Sequence, residues 1–294
     1  MHTYLRSAGF SEYKSRHTIK KLLDQLQAEN MDKAKLISYN EEEKRWEIKA
    51  PVSDHMGICM LGCIDKESRQ FIREYYFPYL DSDKISSRVP CSIQRHIDYD
   101  IYSGLLDDNR VGISLIFRLL NNIEFVERFL ARKSVEVKST YLSAWCASGK
   151  IILPVKKMVR QVELAKTASK NRDSLIEAAK KGDESAIESL SEEDMNLYAM
   201  VSRRLAKEDI YSIIDSCFMP QGIECDIYSI IGDILAVDLQ KNSYTEEEIY
   251  LFTVDCNDII FRLAINSLDL EGEPSVGRRF KGRIWMQGRV EFET

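Results

Sequence analysis

Between residues 156 and 216 the two-residue alternation of apolar and polar side chains stops, and helix-forming residues take over. Side chains on a strand point alternately to opposite faces. Alternation on both sides of this segment, and its absence within it, therefore split the chain into β-rich, helical and β-rich parts. This pattern predicts an α+β fold in three pieces. An N-terminal α+β domain with a mostly antiparallel sheet spans residues 1–155, a helical bridge spans 156–216, and a C-terminal small β-barrel domain, OB-like or similar, spans 217–294.

Within the first part, "SRHTIKKLLDQLQAE" sets Ile19, Leu22, Leu23 and Leu26 on one helical stripe behind Ser15 as N-cap. "KLISY" with "RWEIKA", and "GICMLGCI" with "FIREYYFPYL", read as hairpins. "CSIQRHIDYDIY" and "RVGISLIFRLL" read as two more strands, and "NNIEFVERFLARK" as a helix. "VEVKSTYLSAW" and "KIILPV" read as a further hairpin that turns at "CASG". In the bridge, Gly182 is expected to stop one helix, Asp183 to open the next turn, and Ser191–Asp194 to form a capping box before "MNLYAMVSRRL".

A hydrophobic share of 44% and a charged share of 30% are those of an ordinary globular protein. The opening residues show no apolar leader segment, and no apolar run approaches the ~18 residues of a membrane span. The seven cysteines are odd in number and scattered, as expected of reduced thiols. A cytoplasmic protein without a membrane partner is the expectation. The net charge of -6 argues against a general nucleic-acid or membrane-surface protein, but leaves room for a local basic patch.

Such a patch stands in "GRRFKGRIWMQGRVEF". On a strand, Phe280, Ile284, Met286 and Val290 fall on one face, a core face. Arg279, Lys281, Arg283, Trp285, Gln287 and Arg289 fall on the other. Cations beside an aromatic ring on one strand face can follow phosphates while a base stacks on the ring. The same face suits a phosphorylated ligand or an acidic protein. The candidate anion- or nucleic-acid-binding residues are therefore Arg279, Lys281, Arg283, Trp285 and Arg289. Any half-buried antiparallel strand alternates in this way, so a structural role for these residues stands beside the binding one. The carboxylates of residues 183–194 are possible internal partners.

Other constellations carry less. His55, Cys59 and Cys63 are spaced by four, but on a strand positions i and i+4 lie ~13 Å apart, too far to share a metal. No metal or cofactor is expected. "SIQRHIDYD" places His96 and Asp98 on one strand side, with Asp108 in the following turn, which is raw material for an acid–base site. No nucleophile elbow and no dinucleotide fingerprint occurs. "AWCASGKI" lacks the first glycine and the hydroxyl residue of a phosphate-binding loop. The aromatic run Tyr75, Tyr76, Phe77, Tyr79 suits core and interface, with self-assembly through strand 71–79 as an alternative role.

The phrases "MHTYLRSAGF", "NRDSLIEAAKKGDESAIESL" and "CDIYSIIGDI…LDLEGEPSVGRRFKGRIWMQG" together resemble a family of bacterial proteins of about this length. That family occurs in clostridia-like anaerobes and is described as a domain of unknown function. The resemblance runs along the whole chain and implies a stand-alone cytoplasmic protein. It brings no activity and no functional residue to any position here. The function expected from the residues is a non-enzymatic binding or scaffold protein whose C-terminal barrel contacts an anionic partner. The alternatives are an enzyme around His96 and Asp98, and a self-assembling subunit.

Overall fold

The computed structural model describes residues 3–38, 44–65, 67, 70–96, 101–155, 171–172, 174–206, 210–222 and 225–293. Helix α1 (Arg16–Asn30) begins where expected, because Ser15 Oγ accepts from the Thr18 amide and the Thr18 hydroxyl accepts from the Ser15 amide. Its stripe of Ile19, Leu22, Leu23 and Leu26 is buried. These side chains pack on an antiparallel four-stranded sheet in the order β1 (Lys35–Ser38), β2 (Lys44–Ser53), β3 (Met56–Ile64), β4 (Phe71–Leu80).

The remaining strands form one ten-stranded sheet: β5 (Cys91–Arg95), β6 (Tyr102–Leu106), β7 (Leu115–Leu119), β8 (Val137–Ile152), β9 (Cys217–Pro220), β10 (Ile227–Lys241), β11 (Glu248–Cys256), β12 (Ile259–Asn266), β13 (Leu270–Glu271) and β14 (Arg279–Phe292). A short helix α2 (Asn122–Leu130) follows β7. The pairings β8–β12, β12–β11, β11–β10, β10–β14 and β14–β8 close part of this sheet into a ring. All are antiparallel except β8–β12. The chain is thus α+β, and the fifth strand of the ring, β8, comes from before the helical segment.

β8 differs from the hairpin expected at "CASG". It is one continuous strand that pairs with β14 along nearly its whole length, with a register shift between Ser148 and Cys146. Ala147 is the extra residue of a bulge, and a bulge reverses the alternation. Leu142, Ala144 and Cys146 point into the ring core before it, and Ile151 packs against that core after it. Gly149 is a point of close approach: a Cβ there would lie 2.5 Å from the Phe280 ring.

The two faces of the ring serve two cores. Ile230, Phe252, Val254, Phe261, Phe280, Ile284 and Met286 fill the inside. Trp145, Ile249, Leu251, Ala264 and Trp285 face outward and join the core of the four-stranded sheet, α1 and the N-terminal residues Tyr4, Leu5, Ala8 and Phe10. The N-terminal segment is tied to the ring by backbone acceptors. Asn242 Nδ2 donates to Ala8 O at 2.8 Å, and Thr245 Oγ1 donates to Gly9 O at 2.6 Å.

The described part of the middle segment is helical, with α3 (Glu184–Leu205) and α4 (Ile210–Ile213). Gly182 sits at φ 89°, and Asp183 Oδ1 accepts from the Ala186 amide at 3.2 Å, so the expected stop and start hold. The capping box expected at Ser191 does not form. α3 runs through it, and Ser191 Oγ donates back to Ile187 O at 2.9 Å, the bond a serine makes inside a helix. Among the described residues no helix is long and apolar enough to cross a membrane.

Candidate anion-binding cleft

β14 alternates as its sequence dictates: Phe280, Ile284, Met286 and Val290 are buried in the ring core. Its other face meets three different environments along its length. At the start, Arg279 is only 3% exposed. Its guanidinium donates to Leu153 O (2.9 Å), Tyr211 O (2.6 Å) and Ile214 O (2.7 Å). The last carbonyls around α4 lack intrahelical donors, and Arg279 supplies them.

At the far end, Trp285 is 6% exposed. It stacks on Tyr4 with ring centres 5.5 Å apart and donates Nε1–H to Asp226 Oδ2 at 2.6 Å. Gln287 is fully buried; it accepts from the Leu80 amide at 3.0 Å and donates to Pro78 O at 2.8 Å. With Trp145 Nε1 on Pro78 O and Ser143 Oγ on Leu80 O, these groups occupy the outer edge of β4. Arg289 lies 3.8 Å over the Tyr141 ring and donates to Ser82 O at 3.2 Å.

Between these ends lie Lys281 and Arg283. Residue pairing sets Lys281 against Lys150 of β8 and Ile231 of β10, and Arg283 against Ser148 and Ser229. Ser148, Lys150 and Arg283 are exposed. Directly opposed residues have Cβ atoms about 4.5–5.5 Å apart, so the Lys150–Lys281 pair is a like-charge contact, offset in part by Glu271 of β13, which pairs with Lys150 on its other side. These side chains line a cleft of about 280 Å³ with Gly149, Gly282, Asp269 and Glu271. Asp269 is held by Arg6 Nε at 2.7 Å, which removes one of the two carboxylates from the charge balance. The Lys281 ammonium lies 4.3 Å from the centre of the Tyr211 ring and contacts its hydroxyl. Among the described residues, Lys150 and Arg283 make no ion pair.

Of the residues singled out in the sequence, the cleft gathers Lys281 and Arg283. Arg279, Trp285 and Arg289 are engaged elsewhere on the same strand. Lys150, Ser148 and Ser229 were not legible as partners. The bulge at Ala147 turns Ser148 and Lys150 outward, and the sequence around it reads as a turn.

His96 and Asp108 do not converge. His96 Nε2 lies 2.7 Å from Ser103 Oγ at the start of β6, whereas Asp108 lies beyond Leu106 at its end. Four residues of strand, roughly 13 Å, separate those ends. Asp98 lies outside the described residues. Asp108 accepts from Ser87 Oγ in a buried contact and from Arg110 Nε in a half-buried one. Burial pushes its carboxyl up, but the Arg110 and Ser87 donors outweigh that and hold it below the ordinary range. Asp226 is the opposite case. Burial raises its carboxyl, and the Trp285 donor and nearby Arg118 offset this only in part.

Cys59 and Cys63 sit on β3 with His55 in the preceding turn, and the described residues contain no cluster of metal-ligating side chains. Strand 71–79 is β4, with Phe71, Phe77 and Tyr79 buried inside the molecule.

No curated protein and no solved structure matches the chain. A family model described as "Domain of unknown function, E. rectale Gene description (DUF3881)" matches residues 5–288, and the chain belongs to that family.

Proposed function

We propose that this protein is a non-enzymatic binding protein that takes a small phosphorylated or otherwise polyanionic ligand in the cleft between β8, β10 and β14. The observation that carries this reading is the pair of facing rows Lys150–Lys281 and Ser148–Arg283–Ser229. Two opposed ammonium groups, a guanidinium and two hydroxyls form a donor set suited to phosphoryl oxygens, with Arg283 able to bond them in a fork. The volume lies near the lower end of the roughly 300–1,000 Å³ of small-molecule pockets, which favours a compact ligand over an extended strand of nucleic acid. Trp285 is covered by Tyr4 and Phe77, so base stacking on it adds nothing to binding.

In this reading the five paired strands act as a small barrel, completed by β8, that carries the cleft on its outer wall. The helical bridge borders the site through Tyr211. A cytoplasmic location, where phosphorylated metabolites abound, fits the reading.

Titration calorimetry with inorganic pyrophosphate and nucleoside triphosphates tests it, beside single-stranded oligonucleotides. Binding that weakens with salt and is lost in folded Lys150→Glu/Arg283→Glu is the expected outcome. A protein that binds none of these probes at low salt, or binds them equally well in that variant, does not use the cleft. Oligonucleotides that bind far more tightly than polyphosphate of equal charge would move the function to a nucleic-acid surface.

A further inference from the structure

α3 (Glu184–Leu205) is a 22-residue helix, about 33 Å long, in which Ala186 is the buried hydrophobic residue among those described. Arg172, from the preceding helical stretch, donates to Glu193 at 3.2 Å and to Asp194 at 2.7 Å, and Asp194, four residues before Tyr198, sets that pair along one flank of an exposed stripe. Ile187 is 48% exposed, Met195 67% and Tyr198 76%. Together with Ser191 and Ser202 they recur every three or four residues and share one face. Another side carries Ala186, which is buried, and Leu190 and Val201, which are half-buried, whereas this stripe stays exposed.

We infer that this face of α3 is the interface with a second copy of the same chain, packed antiparallel about a two-fold axis. Charge complementarity selects that occupant. Glu188 and Glu192 border the open face in the first half of the helix, and Arg203, eleven residues after Glu192 and so about three turns along, borders the same flank in the second half. In an antiparallel pair, equal flanks meet with reversed direction. The acidic half of one copy then lies against the basic half of the other, and the contact is isologous.

A two-fold axis between Met195 and Tyr198 sets each Met195 on the second copy's Tyr198, a sulfur–aromatic contact. It also places Ser191 opposite Ser202, small residues that let the helices approach. In a parallel pair opposite flanks meet, so Glu188 and Glu192 of one copy would not face Arg203 of the other. With the preceding helical residues 174–180 of each copy, the assembly is a four-helix packing of two arms. The contact is smaller than a standard interface, so the dimer dissociates in the micromolar range.

Sedimentation equilibrium of the full chain across low to high micromolar concentration is the test. A reversible monomer–dimer equilibrium is expected, abolished in Met195→Glu/Tyr198→Glu without loss of helical circular dichroism. Arg203→Glu alone and Glu188→Arg/Glu192→Arg alone should each weaken the dimer at least about tenfold, and combining them should restore it. A wild-type chain that stays monomeric overturns the inference, as does a dimer indifferent to Met195→Glu/Tyr198→Glu. A combined charge exchange that fails to restore association overturns it too.

Discussion

Arg279 and Arg283 are both arginines on one face of one strand, yet the structure assigns them opposite consequences on removal. Arg279 is 3% exposed and donates to three carbonyls at 2.6–2.9 Å. A hydrogen bond involving a charged group contributes about 1.5–3 kcal/mol net, so three of them place the gross loss in Arg279→Ala at about 5–9 kcal/mol. Two effects reduce it. Among the described residues the buried guanidinium has no carboxylate partner, so removing it also removes a desolvation cost, and the carbonyls around Tyr211 are half-buried and regain some water. A net destabilisation of about 3 kcal/mol remains, or roughly 5 °C in Tm for a chain of this size. Arg283 is exposed and forms no ion pair among the described residues, so Arg283→Ala should stay within about 0.5 kcal/mol. Urea unfolding followed by circular dichroism separates the two. Arg279→Lys, which keeps the charge but not the planar fork, should recover less than half of the loss. Equal midpoints for Arg279→Ala and wild type would refute the assignment of Arg279 as a structural clasp. Equal losses for Arg279→Ala and Arg283→Ala would refute the division of the strand face.

Three further outcomes follow from the same geometry. Gly149→Ala drives a methyl group to 2.5 Å from the Phe280 ring and should cost about 1–3 kcal/mol by overpacking, read as a lower urea midpoint. Gln287→Leu strands the Leu80 amide, whose acceptor is Gln287 Oε1 at 3.0 Å, and should cost about 2–3 kcal/mol in the same assay; an unchanged midpoint would mean that β4 is not anchored there. Asp226→Asn concerns pH. A carboxyl raised in the folded state binds a proton more readily than the unfolded chain does, so it lowers stability as pH rises through the unfolded value of about 3.9 and leaves a constant deficit above its folded value. Asp226→Asn, which keeps an acceptor for Trp285, should therefore be more stable than wild type at neutral pH. That gain should vanish below about pH 4, and a variant less stable at every pH would count against the assignment.

Local periodicity carried the sequence reading where one rule acted alone. α1 formed with its stripe and its Ser15 cap, and β14 put Phe280, Ile284 and Met286 inside. The reading failed where two rules share a residue type. Glycine after a break in alternation marks a turn in most chains, but at Gly149 it marks a bulged strand passing close to an aromatic ring. Likewise Ser191-x-x-Asp194 has the form of a cap, but the helix had already begun at Asp183, and serine bonded back to the preceding turn instead. Long-range pairing was beyond reach. Nothing near Lys281 in the sequence indicates Lys150, since the two meet only when β8 crosses the helical segment to pair with β14.

That crossing also explains why so basic a strand occurs in an acidic protein. A strand at the seam of a ring, between a four-stranded sheet and a helical segment, must satisfy whatever each neighbour leaves unpaired, and helix ends and strand edges leave carbonyl oxygens. Arg279 serves the carbonyls around α4, Gln287 the edge of β4, and Arg289 the carbonyl of Ser82. Cations are suited to this work because every bond they make is donated. The charge of β14 is thus in large part a record of acceptors on its neighbours. Lys281 and Arg283 instead line the cleft, and there Lys150 adds to their charge from the opposite strand. Folding alone would favour an acid or a neutral residue opposite Lys281. A second lysine there, beside two serines and an exposed arginine, costs stability that Glu271, paired with Lys150 on β13, offsets in part.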